Sequence, residues 1–134
     1  MERRTQRAFV LLILAQAAHS LEEYVARLYD VFPPARFLSS LFTDDLRTGF
    51  VIANVLLISF GLWSWAVPLR RGWQSALGLA WFWAVLELTN GTIHLGLAVV
   101  RGGYFPGVLT APLLITTGAW LSKCLRVSNS GRRH

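Results

Sequence analysis

Hydrophobic residues in this chain fall into four long runs, separated by short polar or proline- and glycine-containing segments. A helix needs about 20 mostly apolar residues to cross the ~30 Å hydrocarbon core of a bilayer, and each run has about that length. The runs lack the strict alternation of a membrane barrel strand. The pattern therefore predicts an all-α, four-helix transmembrane bundle, with spans at about residues 8–29, 46–67, 73–100 and 105–121.

The segments between the runs carry residues that end helices. Pro33-Pro34 are expected to end the first helix, because proline disfavours helical geometry in the residue before it. They fall in a connection predicted as a loop over residues 30–45. Pro68 is expected to end the second helix, and Pro112 can kink the fourth. The connections are short, so neighbouring helices are predicted to be antiparallel.

Composition supports a membrane protein and argues against nucleic-acid binding. The chain is 54% hydrophobic and only 15% charged, whereas soluble domains carry about 25% charged residues. The formal net charge is +6, but the basic residues lie between the apolar runs and at both ends, including a polar tail predicted at 126–134. No basic and aromatic surface pattern is left outside the runs. Cys124 is the single cysteine, which excludes an intrachain disulfide.

The distribution of basic residues predicts the orientation of the bundle. Loops on the cytoplasmic side of membrane proteins carry an excess of Lys and Arg. Placing both termini in the cytoplasm puts nine basic residues inside and four outside, so both termini are predicted to be cytoplasmic. The nine are Arg3, Arg4, Arg7, Arg70, Arg71, Lys123, Arg126, Arg132 and Arg133, and the four are Arg27, Arg36, Arg47 and Arg101.

Two of the predicted helices carry ionisable side chains, which cost several kcal/mol inside a bilayer. The first contains His19-Ser20-Leu21-Glu22-Glu23, and the third contains Glu87, Asn90 and His94. At 100° per residue, His19, Glu22 and Glu23 share an arc of about 100°. Glu87, Asn90 and His94 share an arc of about 60°. We therefore expect the two polar stripes to face each other at one lipid-shielded site in the outer half of the bundle.

The residue types on the two stripes suit a metal ion. Three carboxylates cannot all be ionised at low dielectric without a counter-cation, and carboxylates with imidazoles suit Fe, Mn or Zn. Helix bundles build such sites from Glu-x-x-His, which His19-x-x-Glu22 repeats in reverse order. The predicted metal ligands are His19, Glu22, Glu23, Glu87 and His94, with Asn54 and Asn90 predicted to orient them or to contact a substrate.

The depth of each group along its predicted helix gives a second expectation. Glu22 and Glu23 lie roughly 21–23 Å from the start of the first helix, and Glu87 lies roughly 21 Å from the start of the third. The three carboxylates therefore match in level. His94 is about 10 Å further out and His19 about 5 Å further in, so the site would be elongated, or one helix would be tilted or offset.

Three functions are compatible with this pattern. A bound metal would make the protein a metal-dependent membrane enzyme for oxidation, hydrolysis or rearrangement of a small amphiphilic substrate. The same groups would serve a transporter or proton relay. They would also serve a non-catalytic structural subunit, as a polar network between helices that includes an ion pair between Glu23 and Arg27. The sequence does not predict an oligomeric state.

The segment His19-Ser20-Leu21-Glu22-Glu23 resembles the H-x-x-E-E signature of the HXXEE domain family. Asn90-x-x-x-His94 and Tyr104-x-Pro106-Gly107 resemble its downstream pattern, and the resemblance extends from about Ala8 to Leu121. It implies one integral membrane domain over residues 1–134, in the bacterial cytoplasmic (inner) membrane. It implies no reaction, but it supports a role for His19, Glu22, Glu23, Asn90 and His94. Through the downstream element it also supports Tyr104, which is predicted to orient the ligands or to contact a substrate.

Overall fold

The computed structural model describes residues 1–130, and within these residues the regular secondary structure is all helical, joined by turns, with no strand. The predicted all-α class is confirmed. The α-helices are α1 (Arg3–Val25), α2 (Leu28–Val31), α3 (Pro33–Ser40), α4 (Leu46–Ser64), α5 (Ala76–Arg101) and α6 (Ala111–Ser130). A π-helical turn at Trp65–Leu69 continues α4.

The four long helices α1, α4, α5 and α6 pack side by side. Helix α6 lies between α1 and α5 and makes the most extensive contacts with both, while α4 packs against the short helix α3 and against α1. The chain start, the 70–75 turn and the end of α6 meet at one end of the molecule, which we call the terminal end. Residues 26–45 and 102–110 form the opposite end, which we call the loop end.

Three helical segments are long and apolar enough to cross a membrane, by length and composition: Arg3–Val25, Leu46–Leu69 and Ala76–Arg101. Large hydrophobic side chains cover their exposed faces, among them Leu14 on α1 and Val85 on α5. Among the described residues, α6 does not reach that composition. Three of the four predicted spans therefore have the properties of membrane helices.

The first connection differs from its prediction. Helix α1 covers residues 3–25 and not 8–29, because Arg27 adopts a left-handed conformation (φ 57°). Its guanidinium Nε lies 2.6 Å from a carboxylate oxygen of Asp30, so the predicted pair with Glu23 is not formed. Pro33-Pro34 begin α3 and do not end α1, since the first turn of a helix needs no N–H from proline. The predicted loop is therefore partly helical.

The other boundaries also shift. Pro68 does not end the second helix, because the π-helical turn accommodates it, and the third helix begins at Ala76 rather than residue 73. Helix α6 begins at Ala111, not at residue 105, after a turn in which Gly107 has φ 91°. Pro112 is thus the second residue of α6, where it produces no mid-helix kink. Residues 126–130 of the predicted tail are helical, and residues 131–134 lie outside the described part.

Two hydrophobic clusters lie on either side of the polar stripe. The larger one fills the terminal half, where Phe9, Trp83 and Leu121 are fully buried and the rings of Phe9 and Trp83 meet edge to face, with centroids 6.3 Å apart. The smaller one lies at the loop end and includes Phe50 and Phe105. These clusters fix the relative positions of α1, α5 and α6, and so place the polar residues between them.

Candidate metal-binding site

Three ionisable side chains from α1 and α5 converge near the loop end. His19, Glu23 and His94 are 0%, 6% and 2% exposed. The Nε2 atoms of His19 and His94 lie 3.2 Å and 3.1 Å from the same carboxylate oxygen, Oε1 of Glu23. The two imidazole rings meet nearly perpendicular, with centroids 4.6 Å apart. The structure therefore brings together three of the five predicted metal ligands. Each imidazole ring contributes one nitrogen atom, and Glu23 contributes one carboxylate oxygen.

The spacing of these three atoms suits a metal ion. All of them lie within 4.8 Å of one another. Two ligands that each lie about 2.1 Å from a metal are separated by about 3.0–3.4 Å at right-angled or tetrahedral geometry. The two distances to Glu23 fall in this range, but they also fit ordinary hydrogen bonds. The protonation pattern of the two rings distinguishes these arrangements.

The proton on His94 is fixed by its second nitrogen. Nδ1 of His94 lies 2.5 Å from the backbone carbonyl oxygen of Pro106. A carbonyl oxygen can only accept a hydrogen bond, so Nδ1 must carry the proton and donate. In the neutral ring, Nε2 is then unprotonated and carries a lone pair. This Nε2 atom is the one that faces Glu23. Metal-binding histidines are oriented in the same way, with the other ring N–H donating to a carbonyl or a carboxylate.

A longer chain of hydrogen bonds fixes the proton on His19. Nδ1 of His19 lies 2.8 Å from Oγ1 of Thr110, and that hydroxyl lies 2.5 Å from Oε2 of Glu22, to which it donates. The hydroxyl proton is thus already used, so Thr110 accepts from His19, and Nδ1 of His19 is the donor. Nε2 of His19 is again the bare nitrogen, and it is buried with no hydrogen-bond partner among the described residues.

Both rings therefore present unprotonated Nε2 atoms to an ionised carboxylate when they are neutral. Without a cation, lone pairs face lone pairs at about hydrogen-bond distance, which is repulsive. A single proton, on one ring or on Glu23, would relieve only one of the two contacts, and two imidazolium rings would leave a net positive charge in a buried site. His19, Glu23 and His94 could hold a divalent metal ion, which would satisfy all three atoms at once, so their arrangement fits a metal better than it fits an ion pair.

Glu22 does not join this group, although the sequence predicts it to be a ligand. Its carboxylate accepts four hydrogen bonds, which use the acceptor sites that a metal would need. The donors are the Tyr104 hydroxyl, the backbone N–H groups of Leu109 and Thr110, and the Thr110 hydroxyl. Burial and the bond to Glu22 raise the pKa of Tyr104, so the phenol stays protonated and donating. Glu22 thus ties the 104–110 segment to α1 and orients His19.

Gly107 lets this segment approach both imidazole rings. A Cβ atom there would lie 2.6 Å from Cε1 of His19 and 2.6 Å from Nδ1 of His94. The residue also has φ 91°, a conformation that L side chains rarely adopt. Gly107 and Thr110 are functional positions that the residue-by-residue sequence reasoning missed. The Pro106-Gly107 pair was the available signal, because it marks a tight turn just before a helix.

Glu87 also lies outside the group of ligand atoms. It is seven residues before His94 on α5, which places it about 10 Å away along the helix axis. The side chain is fully buried, and neither carboxylate oxygen has a hydrogen-bond partner among residues 1–130. Half-buried Asn90 interacts with this carboxylate and not with the ligand group. The predicted roles of Glu87 as a ligand and of Asn90 as its neighbour at the metal therefore do not match the geometry.

Asn54 connects α4 to the site through α1. Its Oδ1 accepts a hydrogen bond of 2.6 Å from the hydroxyl of Ser20, and Gln16 donates to that hydroxyl at 3.0 Å. Ser20 follows His19 directly in the chain, so this network holds the α1 backbone beside the ligand. Asn54 is a positioning residue that does not touch the ligand atoms, which agrees with one of its two predicted roles.

The sequence model of one protein family matches residues 10–121. The chain belongs to the family described as "Protein of unknown function with HXXEE motif". In this HXXEE protein the motif residues are His19, Glu22 and Glu23. His19 and Glu23 lie in one cluster with His94, while Glu22 binds the 104–110 segment. No curated protein and no solved structure shows significant similarity to the chain.

Proposed function

We propose that this HXXEE protein is a metal-binding integral protein of the bacterial cytoplasmic membrane, with one divalent transition-metal ion held by His19, Glu23 and His94. The observation that carries the proposal is the orientation of the two imidazole rings. Each ring uses Nδ1 as a donor to the protein, and each aims a bare Nε2 at the same buried carboxylate oxygen.

The membrane part of the proposal comprises four spans with both termini in the cytoplasm. Three helices are long and apolar enough to cross a bilayer. Helix α6 has 20 residues, so it extends about 30 Å, and its position between α1 and α5 gives its polar residues protein neighbours as well as lipid. The terminal end carries Arg3, Arg7 and Arg70, the sign of charge expected on the cytoplasmic side.

The ligand set indicates which metals would bind. Two imidazoles and one carboxylate suit Zn, Fe or Mn, and a metal with three protein ligands keeps coordination positions open for a small molecule. Structural zinc sites, in contrast, are closed by four protein ligands. When bound, the metal would supply Lewis-acid or oxygen-activating chemistry. Glu23 and the two rings would hold it, and the loop at residues 104–110 would cover it.

An enzymatic role follows as an extension of this proposal. The substrate would be small and amphiphilic, reaching the site from the bilayer or from the outer face, and the reaction would be an oxidation, a hydrolysis or a rearrangement. Support comes from the surroundings of the site. Tyr104 is 53% exposed and donates to Glu22, so the hydrogen-bond chain that ends at His19 begins at the molecular surface. Apolar faces of α1 and α5 flank that surface.

Metal analysis of the purified protein tests the ligand assignment. The chain is purified in mild detergent and its Zn, Fe and Mn contents are measured beside those of Glu23→Gln and His94→Ala. We expect about one metal per wild-type chain, and less than about 0.2 in either variant, since a specific divalent site survives gentle purification. Glu87→Gln is the matched control, because it removes a buried carboxylate outside the ligand group and leaves the metal in place.

Two results would contradict the assignment. A wild-type protein with less than about 0.2 metal per chain under these conditions has no specific site. Loss of the metal in Glu87→Gln to the same extent as in Glu23→Gln would move the site about 10 Å along α5. With no metal bound, the polar network is left with a structural role, unless it carries protons.

The proton relay is the second candidate, and buried Glu87 is the observation that favours it. A carboxyl group in an apolar interior is costly to ionise, even beside the half-buried amide of Asn90, and such groups mark proton relays in membrane proteins. Proton flux into vesicles that contain the protein, measured with and without a chelator, separates the two functions. A proton relay conducts protons without metal and stops conducting in Glu87→Gln. A protein that only binds metal gives no proton flux, with or without the chelator.

A further inference from the structure

A groove of about 680 Å³ opens at the terminal end, between α1, the π-helical turn and α6. This volume lies within the range of pockets that bind small molecules. The exposed side chains of Arg3, Arg7 and Arg70 line it, and none of the three forms an ion pair with a carboxylate within residues 1–130. Arg70 lies over the ring of Trp65, 5.3 Å from its centroid. The groove therefore concentrates positive charge that has no carboxylate counter-ion in the described part of the chain.

The wall of the groove is apolar. Val10 and Leu11 continue it along α1, one turn beyond Arg7 toward the middle of the bundle, and half-buried Trp120 borders it from α6. The groove thus changes along its length from a cationic rim to a hydrophobic wall. A free phosphate ion would use only the rim, whereas an amphiphile with an anionic headgroup fits both parts.

We propose that this groove binds an anionic phospholipid. Arginine guanidinium groups pair with phosphate through two parallel hydrogen bonds, so Arg3, Arg7 and Arg70 would hold the headgroup. The acyl chain would lie along Val10 and Leu11. Basic pockets between membrane helices on the cytoplasmic side bind such headgroups, and tryptophan is enriched at that depth. The inference rests on the proposed membrane placement and is independent of the metal.

Native mass spectrometry of the full chain in mild detergent tests this site. Phosphatidylglycerol and phosphatidylcholine are titrated separately into wild type, into Arg7→Gln/Arg70→Gln, and into Arg4→Gln/Arg71→Gln. The last variant is the matched control, because Arg4 and Arg71 are exposed neighbours that do not line the groove. We expect wild type to bind phosphatidylglycerol tighter than phosphatidylcholine. Loss of both groove arginines should weaken phosphatidylglycerol roughly 30-fold, at about fivefold for each arginine near an anionic lipid surface.

Three outcomes would overturn the proposal. Equal affinities of wild type for the two lipids would show that headgroup charge is not recognised. An equal loss in both double variants would show that general positive charge, and not this groove, attracts the lipid. Displacement of phosphatidylglycerol by an equal concentration of glycerol 3-phosphate would show that the apolar wall contributes nothing. Helicity and metal content are measured on the same samples, so failure of the metal site is seen separately from failure of the lipid site.

Discussion

The two halves of the bundle are built on opposite principles. In the terminal half, Phe9, Leu12, Trp83 and Leu125 are fully buried and form one close-packed hydrophobic cluster. In the loop half, the same helices bury His19, Glu23 and His94, which are expensive to desolvate and gain favourable energy only if a cation or an exact set of hydrogen bonds compensates them. The terminal half therefore stabilises the fold, and this stability offsets the cost of burying the ionisable groups in the loop half.

This division explains why the site tolerates an arrangement that does not stabilise the empty protein. Removing water from an ion pair costs more than it returns unless further hydrogen bonds complete it. In this protein those bonds come from a turn, residues 104–110, which is held by Glu22 and by the close approach of Gly107 to both rings. Substitutions in the terminal half should then change the free energy of unfolding, and substitutions in the loop half should mainly change metal affinity.

Trp83→Ala should have the largest effect. The side chain is fully buried, packs edge to face on Phe9 and donates a 3.3 Å hydrogen bond to Ser64. Its removal leaves a cavity that joins three helices, and we expect the free energy of unfolding to fall by about 3 kcal/mol. Thermal unfolding in mild detergent measures it. The metal content per folded chain should not change, because the side chain lies far from the ligand atoms.

Trp73→Ala is the control for that experiment. Trp73 is 45% exposed and precedes α5, so its loss should cost less than about 1 kcal/mol. A folded Trp83→Ala protein that had lost its metal would show that the two halves act as one unit and do not separate stability from metal binding.

Gly107→Ala should combine a smaller loss of stability with loss of the metal. The new Cβ would lie 2.6 Å from atoms of both His19 and His94, and the φ of 91° would strain the backbone by about 1–2 kcal/mol. Because the rings must move, we expect metal binding to fall by at least about 100-fold, measured by competition with a chelator.

The same loop contains the matched control for that substitution. A Cβ at Gly103 would meet no atom within 4 Å, so Gly103→Ala should bind metal as wild type does. Full metal affinity in Gly107→Ala would mean that the 104–110 turn does not set the positions of the two rings.

The sequence predicted the helical fold well because the signal was strong and local. Runs of apolar residues about 20 long have few alternatives to helices, and the four runs correspond to the four long helices. Some of the boundary errors occurred at prolines. The sequence predicts helix endings or a kink at Pro33-Pro34, Pro68 and Pro112, whereas the structure places them in first turns or a π-helical turn. Their effect depends on which carbonyl they face, and the sequence does not show that.

The composition of the site was harder to predict, because it depends on where each helix starts. From the observed starts at Arg3 and Ala76, His19 lies about 24 Å along α1, Glu23 about 30 Å along α1, and His94 about 27 Å along α5. These three groups match in level. Glu87 lies only about 16 Å along α5. Starts at residues 8 and 73 had matched Glu87 with Glu22 and Glu23. Errors of five and three residues in opposite directions therefore place Glu87 at the level of the first-helix carboxylates and His94 about 10 Å beyond it.

The roles of Glu22 and Thr110 could not be predicted from helix periodicity. Glu22 and Glu23 are adjacent and both fall on the polar stripe, but they contact different parts of the structure, since successive helix residues point about 100° apart. What separates them is the turn before α6, which presents three donors to Glu22 from Leu109 and Thr110. Contacts of a loop with a distant helix leave no periodic pattern in the sequence.

Thr110→Val should weaken metal binding without a large change in stability. Valine keeps the shape of threonine but removes the hydroxyl, so Nδ1 of His19 loses the acceptor that fixes its proton. Loss of such an orienting partner typically costs 10–100-fold in metal affinity, and chelator competition measures it. Thr116→Val is the control, because that exposed hydroxyl bonds the carbonyl of Pro112 within its own helix. Equal affinity of Thr110→Val and wild type would remove the argument from ring protonation.

Tyr104→Phe should have the smallest effect, and pH should reveal its cause. The phenol donates a 2.9 Å hydrogen bond to Glu22 in competition with solvent, so we expect a loss of about 1 kcal/mol or less. Because the folded protein raises the pKa of Tyr104 above its ordinary value of 10.0, this stability is fully present below pH 10. It is lost as pH rises through the raised pKa, since the unfolded chain releases its proton first. Unfolding midpoints of wild type and Tyr104→Phe should therefore differ at pH 8 and converge above pH 10. A gap that stayed constant into that range would mean that this phenol does not hold Glu22, and the loop half would then keep its rings in place without any link to the molecular surface.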